Sequence, residues 1–216
     1  MILNMSGNKR LSIEITNRCR LECEKCTRTQ LKGKMPIKDM SVQDFRKIAE
    51  SKMYNNIFFG GTYGDCIYHP QFKKILKITK ENDIALTIHS NGSGKKIEWW
   101  REVFEILDPK KDMINIAMDG YKETSSMYRV NFKARDFDKN IEMMSVAANE
   151  YKIRTLWTFI PMNFNENQIQ DAAKLAIENN IIFCIKKSNR WYSLKDPRLP
   201  TNLKLISSHS KVLDLI

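Results

Sequence analysis

The 216-residue sequence has no long apolar run. Uninterrupted stretches such as 181–185 fall far short of the ~20 residues that a membrane-spanning helix needs, so a spanning segment is excluded. Residues 1–10 hold no apolar segment ahead of their charges, so nothing there reads as a secretory leader, and the expected location is the cytoplasm. There is no internal repeat, low-complexity tract or linker, which points to one domain. Cysteines number only five, and three of them crowd into one short segment, so a disulfide framework is not expected. A chain of this length buries roughly 70% of its unfolded surface and needs no covalent staple.

What is present is ordinary in amount: 42% hydrophobic and 28% charged residues, which excludes wholesale disorder, collagen and coiled coil. The sign of the charge is uneven, 36 Lys and Arg against 25 Asp and Glu, a net +11. That balance favours an anionic partner such as nucleic acid, a nucleotide or an acidic peptide. A solvated basic surface is the plain alternative, because Lys and Arg are spread along the whole chain.

Short β-branched runs at 11–16, 56–59, 84–88, 113–118, 154–160 and 181–185 each precede polar or glycine-bearing residues, as six strands ending in loops would. Helical spacing lies between them. Ser41 and Asp44 resemble a capping box ahead of Phe45, Ile48 and Ala49, and Pro70 suits a first turn before Phe72, Ile75 and Leu76. Further helices are expected at 97–107, through Phe137, Ile141, Met144 and Ala148, and through Ile169, Ala172, Ala173, Ala176 and Ile177. This alternation predicts an α/β fold with a mostly parallel sheet and right-handed crossovers: a partial, TIM-like barrel of six β/α units, or a flat doubly wound sheet. Residues 188–216 are less regular, broken by Pro197 and Pro200, with a weakly helical end at 203–216.

The strongest chemical signal is Cys19, Cys23 and Cys26, a CxxxCxxC run just after the first predicted strand. Three thiolates from one loop suit three corners of a four-iron, four-sulfur (4Fe-4S) cluster, leaving the fourth iron open to a substrate or cofactor. Zinc is the rival, with Cys66 or His69 brought from another loop as fourth ligand. A chance grouping is the third reading.

With these cysteines, Gly60-Gly61-Thr62 after strand two, Ser90-Asn91-Gly92 after strand three, and Met118-Asp119-Gly120 followed by Arg129, the sequence resembles the radical S-adenosylmethionine (SAM) superfamily over about 10–188. The stretch 58–65 is most similar to the branch carrying a SPASM or twitch extension, yet no cysteine follows Cys184 to build auxiliary clusters. The resemblance implies a partial barrel core at 1–188, a short C-terminal tail at 189–216, and an active site at the carboxyl ends of the strands. It implies that Cys19, Cys23 and Cys26 hold the cluster, which cleaves SAM with one electron from an external donor to a 5′-deoxyadenosyl radical that abstracts hydrogen. Gly60, Gly61 and Thr62 would face the amino group of SAM, Ser90, Asn91 and Asp119 its ribose, Arg129 its carboxylate and Ile160 its adenine. Ser90-Asn91-Gly92 and Asp119-Gly120 are also ordinary turn sequences, Arg129 also suits a solvated surface, and Ile160 the core.

Two positions depart from the family pattern. Lys25 stands where an aromatic is common, and Thr62 where Glu is common, which leaves Asp65 as a compensating acid. Arg18, Arg20, Lys25, Arg28, Lys32 and Lys34 near the cysteines, with Lys186, Lys187 and Arg190 after strand six, give a basic mouth or a solvated loop interleaved with Glu22 and Glu24. The expected substrate is a peptide or protein, or a nucleotide-like molecule, and nucleic acid is an allowed partner. Trp191 and Tyr192 would line the mouth or pack the tail, while the Trp99-Trp100 pair is expected mainly in the core. Cys184 reads as a small buried hydrophobe, and Cys66 as that or a substrate contact. Two other functions compete: a non-catalytic zinc- and nucleic-acid-binding module, and a SAM-binding core that depends on a partner.

Overall fold

A computed structural model describes residues 9–210 and Val212. In chain order the elements are β1 (Arg10–Ile13), α1 (Thr27–Gln30), α2 (Val42–Glu50), β2 (Asn56–Phe59), α3 (Phe72–Glu81), β3 (Ala85–Ser90) and α4 (Ile97–Phe104). They continue with β4 (Met113–Ala117), α5 (Ser125–Tyr128), α6 (Ala134–Asn149), β5 (Arg154–Phe159), α7 (Ile169–Glu178) and β6 (Ile182–Ile185). All six strands pair in parallel, in the order β1-β2-β3-β4-β5-β6. A doubly wound sheet would reverse its strand order part-way. This one never does, so successive right-handed crossovers put the helices on one face.

The other face curls into a lumen. Ser12 on β1 and Cys184 on β6 line one cavity of about 520 Å3, although five strand spacings of ~4.8 Å would set them ~24 Å apart in a flat sheet. The expected partial barrel is therefore the fold, and among the described residues β1 and β6 remain unpaired edges. Strand parity divides the side chains. Ile57, Phe59, Leu86, Ile88, Ile114, Ile116, Trp157 and Phe159 are buried in the core beneath the helices, while Phe58, His89, Asn115, Leu156 and Thr158 face the lumen.

Several boundaries differ from the sequence expectation. β1 ends at Ile13 because the chain leaves the sheet there: Ile15 is buried in the core, and Thr16 bridges antiparallel to Asp39. Pro70 precedes the N-cap residue Gln71 and lies outside the first turn of α3. The Ser41 hydroxyl accepts the Asp44 amide at 3.0 Å as expected, but the Asp44 carboxylate returns to that hydroxyl at 2.7 Å rather than to the backbone. Trp100 is buried on α4, and Trp99 stacks on Phe72 with ring centroids 5.8 Å apart, so both belong to the outer layer. Of the weakly helical end, only a short 3-10 turn at Leu203–Leu205 forms; residues 211 and 213–216 lie outside the described part. Among the described residues no helix is long and apolar enough to cross a membrane.

Candidate active site at the carboxyl rim

The loop after β1 is pinned before it reaches the cysteines. The Thr16 hydroxyl donates to Asp39 at 2.6 Å, Arg18 Nε donates to the same carboxylate at 3.0 Å, and Asn17 exchanges hydrogen bonds with the backbone of Pro36 and Lys38 at 2.8 Å. Leu21 is buried as an apolar anchor. Arg28 Nη2 donates to the carbonyls of Cys19 at 3.1 Å and Leu21 at 2.6 Å. A rigid loop results.

All three thiols of that loop line one cavity of about 270 Å3, together with Gly61, Asn91, Arg129 and Ile160. Leu21 N–H and Asn91 Nδ2 point at Cys19 Sγ from 3.4 and 3.6 Å, and Cys26 Sγ lies 3.7 Å from the Thr62 carbonyl. Burial pushes the Cys19 thiol up to about 12 and raises Cys23 as well, so thiolate formation here needs the charge of a bound metal. The expected fourth ligands of a zinc site are turned away. Cys66 is buried with its Sγ 3.7 Å from the His89 carbonyl, and His69 donates from Nε2 to Met40 O at 2.9 Å while Nδ1 accepts Gln71 N–H at 3.0 Å. Among the described residues no three His, Cys, Asp or Glu side chains gather tightly enough for a single ion. The donor set fits a cluster with one open iron better than tetrahedral zinc.

The loop after β2 explains its glycines without a ligand. A Cβ on Gly61 would stand 2.3 Å from the Gly64 carbonyl oxygen, and one on Gly64 would stand 2.2 Å from the Thr16 carbonyl oxygen. Gly61→Ala is expected to destabilise the metal-free protein by about 1–3 kcal/mol through overpacking, read in urea unfolding; an unchanged midpoint would show that the loop yields freely. The acid near this loop is one the sequence reading missed. Glu14 accepts the amides of Thr62 at 2.8 Å and Tyr63 at 2.9 Å, one on each oxygen. Asp65, by contrast, is buried, and its Oδ2 accepts Ser90 Oγ at 3.0 Å, Asn91 N at 2.8 Å and Asn91 Nδ2 at 2.5 Å. It is consumed in tying the β2 loop to the β3 loop.

That network also fixes where Ser90 and Asn91 stand. Ser90 Oγ accepts Gly92 N–H at 2.9 Å, and Asn91 Oδ1 accepts the Ser93 amide at 2.9 Å and its hydroxyl at 2.5 Å. Both line the cysteine cavity, yet their polar atoms are committed to loop structure and to Cys19. Asp119 and Arg129 are brought together with each other: Arg129 Nη2 lies 2.8 Å from Asp119 Oδ2, with the two side chains 10% and 0% exposed. Asp119 Oδ1 accepts Ile160 N–H at 3.1 Å, which places Ile160 on the cavity wall. Burial disfavours the Arg129 charge, but Asp119, Cys23 and Tyr128 outweigh it and raise its pKa.

Lys25 points out of the site. Its ammonium lies 3.7 Å over the Tyr192 ring and 3.3 Å from Asp196, while Arg198 pairs with Glu24. Trp191 joins Tyr128, Met162, Ile206 and Val212 in a second apolar cluster that also touches Cys23 and Ile160. Residues beyond β6 thus strap over the cysteine loop.

Residues 13–176 match the profile of the Radical SAM superfamily. The chain belongs to that superfamily. A relative in Pyrococcus furiosus, a tungsten-containing aldehyde ferredoxin oxidoreductase cofactor-modifying protein, is 32% identical over 116 residues, 51% of this chain and 31% of that protein. Among solved structures, Streptococcus suis SuiB bound to S-adenosylmethionine aligns with TM-score 0.67 and 17% identity, covering 89% of this chain and 43% of SuiB. The enzyme anSMEcpe, with bound AdoMet and the Kp18Cys peptide, aligns with TM-score 0.62 and 15% identity over 89% of this chain and 55% of its own. The radical SAM chain therefore spans between about a third and just over half of these relatives. Membership of the superfamily implies a 4Fe-4S cluster and SAM as cofactors.

The cysteine cavity opens into the lumen, since Gly61, His89, Thr158, Lys186 and Arg190 line both cavities. Gly60 and Thr62 stand on the lumen side. His89 went unnoticed in the sequence because a lone polar residue in a strand reads as solvent-facing; only the curvature makes its face interior. Burial, then Lys186 and Arg129, bring its pKa down to about 4. The unfolded chain takes up a proton below pH 6.5 that the folded chain refuses until about pH 4, so stability falls as pH drops through that window. His89→Gln is expected to lose about 1 kcal/mol less than the parent between pH 7 and 4, after discounting for its solvent access. An identical acid limb in urea unfolding would remove His89 as the cause.

Proposed function

We propose that this chain is a SAM-cleaving core in which Cys19, Cys23 and Cys26 hold the 4Fe-4S cluster, and that its substrate is a peptide or protein. The observation that carries the reading is the convergence of three thiols on one cavity that opens into a lumen large enough for a side chain. When bound, the cluster would supply the electron that cleaves SAM, and the radical so formed would take hydrogen from substrate. This chain's residues position and shield. Asn91 and Leu21 would steady Cys19, Arg129 would present charge beside Cys23, and the strap carrying Trp191 would keep water from the rim. Solved structures of SuiB bound to the precursor peptide SuiA and of anSMEcpe with the Cp18Cys peptide support the substrate class.

The test is anaerobic. Protein loaded with iron and sulfide should hold about four of each per chain, change spectrum on adding SAM, and release 5′-deoxyadenosine under a strong reductant. Colourless protein retaining stoichiometric zinc after metal-replete expression would favour the zinc module. A second reading rests on coverage: because the chain spans 38% of SuiB in the peptide-bound structure, substrate modification would need a further segment or partner. Cleavage of SAM without peptide turnover until a second component is supplied would support it.

A further inference from the structure

We propose that the lumen receives a carboxylate of the substrate, held by the amide of Asn115, the ring of His89 and the ammonium of Lys186. The proposal rests on the reading that the lumen is the substrate cavity, and it names what that cavity selects.

The wall offers donors without matching acceptors. Thr158 Oγ1 donates to Asn115 Oδ1 at 2.7 Å, which orients the Asn115 amide and leaves its NH2 with no hydrogen bond among the described residues. The His89 ring makes no hydrogen bond among the described residues either; its one ring contact among them is Phe58, with centroids 5.7 Å apart. As a neutral imidazole it carries one N–H donor. Lys186 has no ion-pair partner among the described residues, and Arg190 reaches only the Lys25 carbonyl, at 3.3 Å. Among the described residues Glu14 is the single acid on the lumen wall, and each of its oxygens already accepts a backbone amide.

A neutral amide in this place would satisfy some of these donors and leave the Lys186 charge unmatched. A carboxylate would meet all three with charge-assisted hydrogen bonds. It would also relieve the cationic field that, together with burial, keeps His89 unprotonated, so the His89 ring reports on occupancy.

Three probes separate the sources of the carboxylate: N-acetylglutamate methylamide, with a side-chain carboxylate; N-acetylglutamine, with a terminal one; and N-acetylglutamine methylamide, with none. Binding is read by calorimetry and by the His89 ring signals in NMR titration, on both metal-free and cluster-loaded protein. At least one carboxylate probe is expected to bind about tenfold tighter than the diamide and to move the His89 titration upward; which one identifies the source. Lys186→Glu, at an exposed position, should erase the preference, and Asn115→Leu should weaken it. Equal binding of all three probes, or a preference untouched in both variants, overturns the proposal. Loss of cluster or of SAM cleavage alone would instead count against the cofactor reading, because the probe preference is measured independently of both.

Discussion

Cys23→Ala is expected to lower iron retention from about four per chain to near zero and to bring SAM cleavage below detection, because two thiolates cannot hold three corners of a cubane. Cys23 also packs against both apolar clusters, so a packing defect must be separated from ligand loss. Cys23→Ser keeps most of the volume and should fail equally in iron loading while unfolding near the parent midpoint. Cys66→Ala is the contrast. Cys66 is buried beneath the His89 carbonyl and outside the cysteine cavity, and its variant should load iron like the parent. Full loading of Cys23→Ala would end the ligand assignment.

Arg129→Met should be the most destabilising single replacement at the rim, by about 3–5 kcal/mol, because it strands a carboxylate in the interior. Asp119 is 0% exposed in its side chain and has Arg129 as its ion-pair partner. Asp119→Leu should cost a comparable amount by stranding the guanidinium, and the double variant Asp119→Leu with Arg129→Met should recover much of the loss, the non-additivity expected of a coupled pair. Urea unfolding of the metal-free proteins measures all four corners of the cycle. Additive losses would show that the two charges are solvated separately. SAM affinity of the double variant, cluster-loaded, then reads whether the Asp119–Arg129 pair also serves the cofactor: a fall in affinity with stability restored assigns the pair there.

Much of the fold was readable from the pattern of β-branched runs because the central strands β2 to β5 bury large apolar residues at every second position beneath the helices. The errors have local causes. Ile15 kept the apolar pattern alive past the true end of β1, since it is buried from a loop rather than from the sheet. Ser90 reads as a turn residue but extends β3, because Asp65 takes up its hydroxyl. The cysteines were legible because their spacing is local. Glu14, His89 and Asn115 were not, since their significance depends on curvature that brings β1 to face β6. Gly61 was legible as a requirement for a missing side chain, while its cause, a contact with Gly64, is visible only once the loop is folded back on itself.

The one-sided placement of helices carries a further consequence for how this protein can vary. Along every central strand, replacements should alternate between ruinous and benign with a period of two. Trp157 and Phe159 sit at 0% exposure against the helical layer, and shortening either would open a void with no neighbour free to fill it. The lumen-facing Leu156 on the same strand is only partly buried and borders open space, where a new side chain meets solvent or cargo instead of packed atoms. A lineage could therefore retool what it accepts by drifting along one parity while the other stays frozen, and a saturation library scored for folding alone would display that stripe.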